Sequence, residues 1–85
     1  MAIYSTQVTV TTTAQVIVNL DNVTQHVSIE SKGNTYLGPS TVTGSNGFHL
    51  ANNQTAQLVI PEGCDLWAVT DTGTHGISLL IARVD

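Results

Sequence analysis

The chain has 85 residues, of which 41% are hydrophobic and only 9% charged, with a formal net charge of −4. A chain this short forms one domain with a small core, and its single cysteine, Cys64, excludes both an intrachain disulfide and a cysteine-rich metal site. Lys32 and Arg83 are the only cationic side chains, too few to neutralise a phosphate backbone, and no apolar run approaches the roughly 18 residues of a membrane-spanning helix, so neither nucleic acid nor membrane is an expected partner.

The start, MAIYSTQVTV, lacks the basic-then-apolar layout of a signal peptide, so synthesis in the cytoplasm is expected. Residues 1–10 read as an N-terminal arm that orders on contact or as an edge strand at about 3–10, and residues 11–85 as a single β-domain. In AQVIVNL, Ala14, Val16, Val18 and Leu20 share one parity and are expected to face inward. In VTQHVSIE, Val23, Gln25, Val27 and Ile29 share one face while Thr24, His26, Ser28 and Glu30 share the other, the pattern of a half-buried strand. Asp21-Asn22 between these two runs is turn chemistry and predicts a hairpin.

Further strands read at 34–37, 40–43, 47–50, 55–60, 65–71 and 76–84, and no window carries a helical period. The separators, among them Gly38-Pro39, Gly44-Ser45-Asn46-Gly47 and Pro61-Glu62-Gly63, are rich in residues that favour turns. The expectation is an all-β fold, a small antiparallel β-sandwich or barrel of about 7–9 short strands. Leu66, Ala68, Ile77, Leu79 and Ile81 are expected in its core because they fall on one parity of two strands.

Those two strands are apolar on both faces. In ISLLIARV, Leu80, Ala82 and Val84 oppose Ile77, Leu79 and Ile81, and in DLWAVT, Trp67 and Val69 oppose Leu66 and Ala68. A thin sandwich has one core, so the second face needs a cover of its own. Two covers are open: the uncharged stretch GNTYLGPSTVTGSNGFHL at 33–50, or a neighbouring subunit.

Catalytic signatures are missing. His26, His49 and His75 sit on separate strands or loops with no HxH or cysteine partner, so no metal is expected within one chain, although a trimer could gather one histidine from each subunit. GSNG is not a nucleophile elbow, and Cys64 between Glu62 and Asp65 lacks the positive surroundings that activate a thiol. GNTYLG has the wrong spacing for a phosphate cradle and no following lysine. Neither a cofactor nor enzymatic activity is expected.

From Tyr36 onward the order of motifs is distinctive: Tyr36-Leu37-Gly38, Val42-Thr43, Gly47-Phe48-His49-Leu50, Leu58-Val59-Ile60, Gly63, Leu66-Trp67-Ala68-Val69, Gly73, and Ile77 through Val84. This order resembles that of small β-rich virion proteins of tailed bacteriophages. MAIYSTQVTVTTTAQ falls outside the pattern, and Phe48-His49 stand where it has a proline-containing step. The resemblance implies a noncatalytic structural protein on the capsid exterior, a decoration or cement protein that binds the major capsid protein as an oligomer, with a homotrimer favoured. The alternative is a carbohydrate- or receptor-binding module on a tail or fibre, in which aromatic side chains stack on a sugar. Ile3, Tyr4, Tyr36, Phe48, Trp67 and Leu80 are the candidate partner interface, since neutral apolar and aromatic groups can be buried without the several kcal/mol that unpaired ions cost.

Overall fold

The computed structural model describes residues 2–84 and contains eight strands: β1 (Ala2–Val10), β2 (Gln15–Val18), β3 (Thr24–Ser31), β4 (Thr35–Gly38), β5 (Phe48–Leu50), β6 (Thr55–Ile60), β7 (Leu66–Val69) and β8 (His75–Val84). They form two four-stranded antiparallel sheets, with strand orders β1-β8-β3-β6 and β2-β7-β4-β5. We call these sheet A and sheet B. Successive strands alternate between the two sheets except at the β4–β5 hairpin, which is the connectivity of a jelly roll.

The core lies between the sheets and follows from parity. Val27 and Ile29 on β3 face Leu37, Leu50, Leu66 and Ala68 of sheet B, and Ile77, Leu79 and Ile81 of β8 complete the layer. All five core residues expected from β7 and β8 are buried. Gln25 is buried with them, and its side-chain amide donates to the Asn19 carbonyl at 3.0 Å, which removes the cost of an unpaired amide.

Three sequence expectations are corrected. The hairpin of 14–20 with 23–30 does not form: β2 pairs with β7 in sheet B, while β3 lies between β8 and β6 in sheet A. Asp21 and Asn22 carry the chain from one sheet to the other instead. The parity of AQVIVNL is broken by a bulge between Val16 and Val18, so Ile17 and Val18 are both buried while Val16 is exposed and Leu20 is 62% exposed. The third correction concerns 40–43, which is turn and loop rather than strand.

That loop provides one of the two missing covers. Residues 39–47 fold back over the outer face of sheet B, and Val42 is buried there although it stands apart from the main core. Gly47 permits the approach, because a Cβ on it would lie 2.6 Å from Tyr36 Cβ and 2.8 Å from Val42 Cγ2. The crossover from β3 to β4 is closed by a buried polar chain. Ser31 Oγ donates to the Gly33 carbonyl and lies 2.8 Å from Thr35 Oγ1, which in turn lies 2.6 Å from His75 Nε2.

Candidate functional site

The outer face of sheet A is an apolar surface that the domain leaves uncovered. One rung crosses all four strands: Ile3 on β1 stands opposite Ala82, Ala82 opposite His26, and His26 opposite Val59. The next rung is Ser5, Leu80, Ser28 and Gln57, and the one after it Gln7, Ser78, Glu30 and Thr55. Ile3 is 68% exposed, Val59 54% and Leu80 50%, and together with Ala82 they line a shallow groove. The face therefore grades from apolar at the Ile3–Val59 rung to polar at the Gln7–Thr55 rung.

Neither cation is held out to this face as an unengaged charge. Arg83 Nε and Nη2 donate to Asp21 Oδ2 and Oδ1 at 2.7 and 3.1 Å, a bidentate bond that ties the end of β8 to the sheet crossover. Lys32 Nζ lies 2.9 Å from Glu30 Oε1 in an exposed pair.

The six candidate interface residues do not form one patch. Ile3 and Leu80 share the outer face of sheet A. Tyr4 has the opposite parity to Ile3 and lines a groove with Thr6, Val8 and Ile17 on the side of the sandwich where β1 and β2 are the edges. Phe48 lies on the other side, 64% exposed, beside an apolar cleft formed by Leu37, Ala56, Leu58 and Leu66 between β5 and β6. Tyr36 and Trp67 are half-buried on sheet B. Tyr36 stacks on His49 with ring centroids 5.1 Å apart, and Trp67 stands opposite Val16 and Gly38 with its indole nitrogen buried and without an acceptor.

The histidines are likewise dispersed: His26 lies on sheet A, His49 against Tyr36, and His75 against Thr35. Among the described residues no group of three or more His, Cys, Asp or Glu side chains could hold a metal ion. The Ser31–Thr35–His75 chain has the composition of a proton relay, but both hydroxyls are fully buried and face one another, so no substrate reaches them. Val59 is a residue of the sheet A face that the sequence reading missed. Its signal was parity, since placing Ala56, Leu58 and Ile60 inward obliges Val59 to point out.

No family model and no curated protein matches the chain. Among solved structures, a chain from the Bacillus endospore appendages, which form a novel family of disulfide-linked pili, is similar with a TM-score of 0.62 at 14% identity, covering 94% of this chain and 82% of that one. A de novo designed double-stranded β-helix, solved in solution, is similar with a TM-score of 0.57 at 14% identity, covering 95% and 99%. At such identities the likeness is one of fold.

Proposed function

We propose that the protein is a noncatalytic structural component of a bacteriophage virion, a decoration protein that docks on the major capsid protein from the outside of the head. The observation that carries this reading is the uncovered Ile3–Ala82–Leu80–Val59 surface on a domain whose two cations are both engaged internally. Such a face gains its binding free energy from apolar burial, at roughly 25 cal/mol per Å² removed from water. The motif order from Tyr36 onward is the second support. The sugar-stacking alternative has less in its favour, because Tyr36 already stacks on His49 and Trp67 is half-buried. A covalent filament on the plan of the pili is also disfavoured, since one cysteine in these residues can join only two copies.

The test is attachment to heads stripped of the protein. Leu80→Lys places a charge on a half-exposed side chain, so it should leave the melting temperature nearly unchanged and abolish co-sedimentation with capsids. Normal binding by this variant would remove the sheet A face from the model. Copy number in the purified virion separates the two placements: hundreds of copies fit the head, and a handful would move the protein to the tail.

A further inference from the structure

The two edges of sheet A differ from those of sheet B. In sheet B, β2 is four residues long and bulged and β5 is three residues long, both means of blunting an edge. In sheet A, β1 is nine residues long, pairs with β8 without a bulge, and contains no charged residue and no proline. At the opposite edge, β6 is six residues long and equally uncharged. A long, straight, neutral edge is a template for another strand.

We propose that β1 of one copy pairs with β6 of the next, joining sheet A of successive copies into one continuous antiparallel sheet. The directions allow it without any two-fold axis. Each neighbouring pair in β1-β8-β3-β6 is antiparallel, so β6 runs opposite to β1 and a second β1 beside it preserves the alternation.

Continuing the existing rungs across the junction sets the register. Ile3 of one copy then meets Val59 of the next, Ser5 meets Gln57, and Gln7 meets Thr55, so apolar faces apolar and polar faces polar on the outer side. On the inner side Tyr4 meets Leu58, beside the open cleft where Phe48 is exposed. Ile3, Tyr4, Val59 and Phe48 are four of the large exposed hydrophobic side chains of the domain, and all four lie at this single junction, with Ile3 and Val59 side by side and still open on the outer face beside Leu80. Charge favours the same site: copies of a chain of net charge −4 meet along two strands that present no carboxylate. The β1-to-β1 alternative is poorer, because a two-fold axis at Thr6 would set Ile3 against Thr9 and leave Val59 and Phe48 uncovered. A junction between different edges is heterologous, and it builds a closed ring or an open fibre according to the rotation between copies.

The inference does not depend on what the oligomer binds, because its test needs only the purified chain. In a Cys64→Ser background, Ser5→Cys together with Gln57→Cys should give a ladder of cross-linked species under mild oxidation, while either substitution alone should give none. Cross-linked dimers from Thr6→Cys alone would overturn the register in favour of β1-to-β1 pairing about that axis, and an uncross-linked double variant would overturn the junction altogether. Sedimentation supplies an independent reading. The unmodified chain should sediment as an oligomer, Ile3→Lys and Val59→Lys each as a monomer with unchanged circular dichroism, and Ile3→Lys combined with Val59→Glu as an oligomer again. A parent chain that remains monomeric at its solubility limit would refute the proposal.

Discussion

At the scale of single residues, the fold depends on a few positions where one atom decides the outcome. Gly47 is one. A methyl group there would meet Tyr36 Cβ and Val42 Cγ2 and also lie 3.0 Å from the Thr43 carbonyl oxygen, so Gly47→Ala must displace the loop that covers sheet B. We predict a loss of about 1–3 kcal/mol in urea unfolding, with increased solvent access at Trp67 visible in its fluorescence. Gly33 is similar, since a Cβ there would lie 2.6 Å from His75 Nδ1. Thr35 is the central member of the buried polar chain, and Thr35→Val would leave Ser31 Oγ and His75 Nε2 without their shared partner. A cost of about 1–3 kcal/mol is expected by the same measurement, whereas Thr41→Val, in the exposed part of the loop, should cost little.

At the scale of strands, burial follows parity wherever the strand is regular. Leu79 and Leu80 are neighbours in β8, one almost fully buried and the other half-exposed. Leu79→Ala should cost about 2–5 kcal/mol and Leu80→Ala less than about 1 kcal/mol, and equal losses would mean that the strand is out of register. The alternation of VTQHVSIE was readable because β3 is central, and a central strand must bury one complete face. AQVIVNL misled for an equally physical reason: a bulge adds one residue to one strand of a pair, and nothing in the composition of Val16-Ile17-Val18 marks it. The pairing of β2 with β7 was hidden too, because Asp21-Asn22 suits a tight hairpin and a sheet crossover equally well. STVT at 40–43 alternates like a strand but has no neighbour to pair with, and burying Val42 against the outside of sheet B uses the same alternation for a different purpose. Of the surface, the apolar outer parity of β8 was legible, whereas the contribution of Val59 required knowing that β6 stands in the same sheet.

At the scale of the whole molecule, the distribution of charge sets how binding should respond to solution conditions. Arg83 is held by Asp21 and Lys32 by Glu30, while the outer face of sheet A at the Ile3–Val59 rung presents no carboxylate. The proposed attachment to capsids should therefore change little when ionic strength is raised, because screening acts on exposed charges and leaves apolar burial intact. Release by moderate salt, measured by co-sedimentation, would instead indicate docking through the exposed carboxylates Glu62, Asp65 and Asp71. The pairing of β1 with β8 has one more consequence, which concerns time rather than energy. The ladder runs from Ala2 opposite Arg83 to Val10 opposite His75, so β1 has no partner in its own sheet until β8 has been synthesised. Contacts of such long sequence separation form slowly, and an uncharged strand exposed on a ribosome-bound chain is open to aggregation in the meantime. The same delay would order the proposed assembly: a copy offers a straight β1 edge to its neighbour only after its own β8 is in place, which would exclude chains lacking β8 from the proposed oligomer.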